Sequence, residues 1–113
     1  MSISFKNEIP YLEEQNLIEL TKSIQTPFYV YSQKTITDTF LKLKKTLKKN
    51  IYYSVKANSN QAIISLLNSL GAGADVVSQE ELQRVLTAGV SPNKIIFEGV
   101  GKSKKDISYA IQN

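Results

Sequence analysis

The chain has 113 residues, of which 42% are hydrophobic and 21% charged, a composition typical of one globular domain. It contains no cysteine and no histidine, which excludes disulfides, thiolate or imidazole metal sites and nucleophiles activated by histidine. The formal net charge of +4 comes largely from KLKKTLKK at residues 42–49. Because Arg84 is the only arginine, a solvated helix face is favoured over a nucleic-acid patch.

The chain lacks the patterns of a membrane or secreted protein. No apolar stretch reaches the roughly 20 residues of a transmembrane helix, and MSISFKNEIP does not resemble a secretory signal. We therefore expect a cytoplasmic protein that binds neither membrane nor nucleic acid.

Residues 1–33 are expected to form an N-terminal segment that leads into the main body of the chain. A short helix is predicted in NLIELTKSI, residues 16–24. After the break at Thr26 and Pro27, the β-prone run Phe28 to Tyr31 predicts an N-terminal strand.

From residue 34 to residue 113, helical and strand-like patterns alternate. The predicted elements are helix 34–49, strand 51–56, helix 60–70, strand 74–77, helix 79–88, strand 94–98 and helix 104–112. Strands separated by crossover helices pair in parallel, so the sequence predicts an α/β fold. A closed (β/α)₈ barrel takes about 250 residues, so the chain fits either a small open layer or the first units of a larger barrel.

Helix boundaries are marked by glycines and by capping residues. Gly71 and Gly89 follow the last apolar residue of a helix, where a left-handed conformation is common. Ser78 with Glu81, and Ser103 with Asp106, are typical of the first turn of a helix.

Lys56 ends the apolar run of YYSVKANSN, residues 52–60. Reactive groups collect at the carboxyl ends of parallel strands, and apolar neighbours such as Val55 and Tyr53 would remove water from the amine. A neutral amine there could attack a carbonyl and form a Schiff base. The alternative is a solvated charge that ends an edge strand, and position does not decide between the two.

The motifs YYSVKANSN, GADVVSQEEL and FEGVGKS, in this order and spacing, resemble the N-terminal part of the pyridoxal-phosphate decarboxylases with an alanine-racemase-like barrel. The resemblance implies a partial TIM-like (β/α)₈ barrel, namely its first three βα units preceded by an N-terminal strand. It also implies pyridoxal 5'-phosphate as the cofactor and an amino acid as the substrate. The residues of the motifs YYSVKAN and FEGVGKS favour diaminopimelate as the substrate, and the alternatives are ornithine, arginine and carboxynorspermidine.

The resemblance also implies roles for three residues. Lys56 matches the lysine that holds the cofactor, whereas Asp75 and Glu81 match acids close to it. Asp75 has the alternative of a carboxylate that serves a turn, and Glu81 that of a capping residue.

GVGKS at 99–103 is similar to a phosphate-binding loop, but the full pattern needs a glycine where the chain has Ile96. A nucleotide site is therefore disfavoured, and Lys102 is expected to face solvent.

The resembled family uses further groups: a glycine-rich phosphate site, a histidine on the cofactor ring, an acid at the ring nitrogen, and a cysteine and a tyrosine. The family is homodimeric. Because the 113 residues include no histidine and no cysteine, we expect no activity from this chain alone unless another chain completes the site. A non-catalytic interaction role, in which an open sheet edge pairs with a partner, is the alternative.

Overall fold

A computed structural model describes residues 3–113, which form two compact units, one within residues 3–39 and the other Phe40–Asn113. In the first unit the elements are β1 (Ser4–Lys6), β2 (Ile9–Leu12), β3 (Gln15–Asn16) and α1 (Leu17–Thr21). Helix α2 (Gln33–Leu47) has residues in both units. The second unit continues with β4 (Tyr52–Ser54), α3 (Gln61–Ser69), β5 (Gly73–Val76), α4 (Gln79–Thr87), β6 (Ile95–Phe97) and α5 (Lys104–Gln112).

The first unit contains a small antiparallel sheet of order β1-β2-β3, which the sequence did not predict. Its strands are only two to four residues long, and Pro10 interrupts the hydrophobic alternation by which strands are found. Left-handed residues Asn7 and Glu8 make the tight connection between the first two strands. Helix α1 follows directly, and the Asn16 side chain accepts hydrogen bonds from two amides of its first turn.

The prediction of a strand at Phe28 to Tyr31 is wrong, because these residues belong to no strand or helix in the structure. Tyr29 is 89% exposed and Tyr31 is 48% exposed, with the two rings stacked at 6.5 Å. β-propensity reflects packing on a pleated surface, and this segment has no neighbouring strand to provide one.

Helix α2 begins beside Glu13, whose carboxylate accepts hydrogen bonds from the Ser32 hydroxyl and from the backbone amide of Lys34. Farther along, Lys34 pairs with Asp38, and this hydrogen-bonded carboxylate raises the pKa of Lys34. The Glu13 carboxylate accepts a hydrogen bond from an amide at the helix start that would otherwise be unpaired. Its negative charge also interacts favourably with the positive end of the helix dipole.

The second unit confirms the predicted α/β fold with a parallel sheet. Its strands lie in the order β4-β5-β6, and the register pairs Tyr53 with Ala74 and Ala74 with Ile95. The core lies between this sheet and its helices, and its buried members are Val55, Ile64, Ala74, Val76, Leu82, Val85 and Val90.

The predicted boundaries of α2, α3, α4 and α5 agree with the structure to within two residues, whereas α1 ends three residues before the predicted end at residue 24. Gly71 and Gly89 have φ values of +94° and +85°. The Ser103 hydroxyl accepts from the Asp106 amide, while the Asp106 carboxylate accepts from both the hydroxyl and the amide of Ser103. These hydrogen bonds lower the pKa of Asp106. Within residues 3–113, no helix has the length and apolar character to cross a bilayer.

Candidate functional site at the carboxyl edge of the parallel sheet

The two faces of the parallel sheet have different chemistry. Tyr53, Ala74 and Ile95 pack into the core with the helices. Since successive side chains of a strand point to opposite faces, the residues between them face away from α3 and α4. The residues on this second face are Tyr52, Ser54, Asp75 and Ile96. Tyr52 is 37% exposed and Ile96 is 45% exposed, so this face is accessible.

Ser54 and Asp75 are neighbours on this face, because they are paired in the register of β4 and β5. The hydroxyl oxygen of Ser54 and Oδ1 of Asp75 are both buried, and neither has a hydrogen-bond partner among residues 3–113. A buried polar atom without a partner costs about 1–3 kcal/mol. Buried polar atoms in native proteins are nearly always hydrogen-bonded, so each of these two atoms needs a partner such as water, an ion or a polar ligand group.

Lys56 lies just beyond the carboxyl end of β4, in the 3₁₀ turn Val55–Ala57. Its Nζ is 3.9 Å from Oε1 of Glu98, the residue that follows β6. The Lys56 side chain is 60% exposed, so the expected loss of hydration against Val55 and Tyr53 does not occur in this chain. Val55 points into the core instead, whereas the amine extends over the edge of the sheet.

The structure brings Lys56 and Asp75 to one edge and adds two residues that sequence reasoning missed. Glu98 follows the third parallel strand as Lys56 follows the first, and this matching position is the signal that could have revealed it. Ser54 lies two residues before Lys56, a spacing that places two side chains on one face of a strand. Because β5 lies between β4 and β6, the ion pair of Lys56 and Glu98 passes over the end of β5.

Glu81 is engaged with the start of α4. Its carboxylate accepts a hydrogen bond of 2.9 Å from the amide of Val77, and its own amide donates to the Ser78 hydroxyl at 3.2 Å. These contacts fix the loop between β5 and α4, as a capping residue would. The Ser78 and Glu81 cap is thus confirmed, with the carboxylate bound one residue earlier than in the usual capping box.

The GVGKS loop connects β6 to α5 at the same edge. Gly99 has a φ of +113°, a left-handed conformation that favours glycine. Lys102 donates to the carbonyl oxygen of Gly99 at 2.7 Å, and its Nζ lies 5.3 Å from the centre of the Phe97 ring. Val100, at the tip of the loop, is fully exposed. Lys102 therefore stabilises its own loop and does not simply point into solvent. Among residues 3–113 there is no cluster of acidic side chains that could hold a metal ion.

Comparison with known proteins identifies the family. The family model described as "pyridoxal-dependent decarboxylase, pyridoxal binding domain" matches residues 33–113, which include every residue of the edge described above. The chain therefore belongs to the pyridoxal-dependent decarboxylases, within their pyridoxal-binding domain.

Among its relatives are several diaminopimelate decarboxylases. The enzyme of that name from Helicobacter pylori is 48% identical over 100 residues, which is 86% of this chain and 25% of the relative. The one from Aquifex aeolicus is 40% identical over 104 residues, 91% of this chain and 25% of the relative. The chain thus spans about a quarter of the length of these curated relatives.

Solved structures agree with this assignment. A crystal structure from Aquifex aeolicus has a TM-score of 0.92 and 38% identity, covering 97% of this chain and 28% of that one. The diaminopimelate decarboxylase of Helicobacter pylori complexed with L-lysine has a TM-score of 0.81 and 46% identity, covering 86% of this chain and 25% of that one. Over most of its length the fold of this chain is therefore similar to that of a solved diaminopimelate decarboxylase.

Proposed function

We propose that this chain supplies the lysine-bearing part of a diaminopimelate decarboxylase, which converts meso-diaminopimelate to L-lysine with pyridoxal 5'-phosphate as cofactor. The observation that carries the proposal is the position of Lys56, which lies at the carboxyl edge of a parallel sheet and extends an exposed amine over it. Relatives at 40–48% identity that carry this enzyme name support the choice of substrate.

The residues of the edge fit a pyridoxal cofactor. The exposed amine of Lys56 can reach an aldehyde, while Ser54 and Asp75 offer two buried polar atoms that need a partner. The cofactor, when bound, supplies an aldehyde that condenses with an amine, releasing water, and a ring that accepts the electron pair left by departing carbon dioxide.

Each side chain then has a defined task. Lys56 is the covalent anchor and later gives way to the amine of the substrate. Asp75 contacts the cofactor from β5. Glu81, the second acid expected near the cofactor, acts by holding the amide of Val77 in the loop after β5. Glu98 keeps the Lys56 side chain directed over the sheet through their ion pair.

In this proposal the three βα units are the first units of a TIM-like barrel. The phosphate site and the partner of the ring nitrogen come from polypeptide outside these 113 residues, and the complete enzyme is a cytoplasmic homodimer. The purified 113-residue chain is accordingly expected to release no carbon dioxide from diaminopimelate, and measurable release would contradict this.

Covalent trapping tests the role of Lys56. The purified chain is incubated with pyridoxal 5'-phosphate and reduced with borohydride, and the modified lysine is mapped by mass spectrometry. Lys56 is expected to carry most of the adduct, because its amine lies at the edge that fits the cofactor. Lys34 is the matched control, since it is also exposed and also paired with a carboxylate, that of Asp38. Adduct spread evenly over the thirteen lysines would refute the assignment.

A further inference from the structure

A groove of about 270 Å³ opens at the amino edge of the parallel sheet, the edge opposite to Lys56. Its lining comes from residues that precede or begin the three strands, and it includes Asn50, Tyr52, Gly71, Gly73, Asn93 and Lys94. The ring of Tyr52 lies against Gly73, where a Cβ would be only 2.5 Å from it. The groove thus combines an aromatic wall with amide and ammonium groups.

The acidic residues of the second unit lie away from this groove. Each of them is within a strand or follows the carboxyl end of one, and they are Asp75, Glu80, Glu81, Glu98 and Asp106. By contrast, the lining residues come from segments 39–74 and 82–97, which contain no aspartate and no glutamate. Within the second unit, charge is therefore separated along the strands, and the amino edge is the positive one.

Lys44 holds an ammonium group beside the groove. A Cβ on Gly71 would lie 2.9 Å from Nζ of Lys44, so the amine touches the lining at that glycine. The same Nζ donates to the carbonyl oxygen of Leu70 at 2.8 Å and lies 5.9 Å from the centre of the Phe40 ring. An ammonium group has three N–H donors, so two remain for another acceptor. Because these contacts already hold the long side chain, less entropy is lost when a ligand binds to it.

The other polar groups of the lining can also donate hydrogen bonds. The carboxamides of Asn50 and Asn93 make no hydrogen bond within residues 3–113, and each has two N–H donors. Neither Lys44 nor Lys94 forms an ion pair in this part of the chain. The groove therefore offers cations and N–H donors that no carboxylate of the described residues neutralises.

The carboxyl end of α3 lies at the same edge, and free carbonyl groups at a helix end would repel an anion. Here those groups are occupied. The carbonyl oxygens that accept a hydrogen bond at this turn are those of Leu66, Leu67, Asn68 and Leu70. The helix end is thus covered by backbone amides and by the Lys44 amine.

We propose that this groove binds a small oxyanion with two negative charges, such as a phosphate or a short dicarboxylate. Ammonium groups attract the charge, and the amide N–H groups can donate to the oxygens. The volume lies just below the range of about 300–1,000 Å³ that is usual for drug-sized ligands, so a small anion suits it better than a nucleotide. The site is at the opposite edge from Lys56 and does not depend on the proposed function.

Titration with inorganic phosphate tests the proposal. Binding is followed through the backbone amide signals of Gly71 and Gly73 in NMR spectra of the isotope-labelled chain, with sodium chloride at equal ionic strength as the salt control. Phosphate is expected to shift both signals to saturation, whereas chloride should not. A parallel titration with succinate identifies the preferred class, since the anion that saturates the signals at lower concentration is the better fit. Saturation by either anion supports the site.

Three lysine variants separate this site from general charge attraction. Lys44→Met and Lys94→Met keep an apolar stem but remove the charge, and each is expected to weaken anion binding about two- to fivefold, the effect of one partly exposed ion pair. Lys45→Met is the matched control, because this neighbour on α2 carries the same charge but does not line the groove. It should leave binding unchanged.

Several results would overturn the proposal. They are the absence of a saturable shift with both anions, an equal shift with chloride, and an equal loss of binding in Lys45→Met and Lys94→Met. Since Lys44→Met also removes the hydrogen bond to Leu70, its stability in urea is measured first. If that variant is unstable, the comparison of Lys94→Met with Lys45→Met decides the outcome.

Discussion

Replacement of Gly73 by alanine is expected to destabilise the parallel sheet. A Cβ at this position would lie 2.5 Å from the carbonyl oxygen of Lys94 and 2.5 Å from the ring of Tyr52. The tyrosine ring can rotate away, but the carbonyl belongs to the backbone just before β6 and moves only with that strand. Overpacking costs about 1–3 kcal/mol, and the reduced freedom of the unfolded chain returns about 0.4–1 kcal/mol. The net loss in the free energy of unfolding is therefore about 0–2.6 kcal/mol, with a central value of about 1.3 kcal/mol.

Urea unfolding followed by circular dichroism measures this difference. Gly101→Ala is the control, because a Cβ there has no neighbour within 4 Å, and it is expected to be neutral or slightly stabilising. The double variant Tyr52→Ala with Gly73→Ala removes the ring contact but leaves the carbonyl contact. The reasoning is refuted if Gly73→Ala is as stable as Gly101→Ala. It is also refuted if Tyr52→Ala with Gly73→Ala is no less stable than Tyr52→Ala alone, because the backbone contact would then carry no cost.

Two further predictions concern the core and the pH dependence of α5. Val85→Ala should lower the free energy of unfolding by about 1–3 kcal/mol because the side chain is fully buried, whereas Val100→Ala should change it by less than about 0.5 kcal/mol in the same urea assay. Because hydrogen bonds from Ser103 lower the pKa of Asp106, the carboxylate stabilises the folded state above its unfolded pKa of about 3.9 and this contribution disappears as the pH falls through the lower folded value. An NMR titration should show the pKa of Asp106 returning toward its ordinary value in Ser103→Ala, and an unchanged pKa would contradict this.

The parallel part of the fold was predictable from the sequence because local and tertiary signals agree there. Two of the helical patterns end at Gly71 and Gly89, and each strand is a short apolar run between two helical patterns. The first unit was not predictable in the same way. Its strands at Ser4–Lys6 and Ile9–Leu12 are too short for a periodic signal, while the apolar run from Phe28 to Tyr31 has no strand beside it.

The candidate site was only partly predictable, for a related reason. Lys56 stood out because a charge follows an apolar strand. The proximity of Glu98 and the pairing of Ser54 with Asp75 depend on strand order and register, which are tertiary properties. The exposure of the Lys56 amine also depends on which groups cover the edge, and local sequence does not specify them.

The alternation of residues along β5 has a consequence for how such a protein can evolve. Ala74 and Val76 belong to the core with the helices, whereas Asp75 between them faces the other side of the sheet, where the proposed cofactor site lies. Mutation and selection can therefore change recognition at one position while its two neighbours keep the domain folded. The same alternation occurs on β4, where Tyr53 packs against the core and Ser54 faces the same side as Asp75. A sheet arranged in this way can acquire a preference for a new substrate without first losing its hydrophobic core.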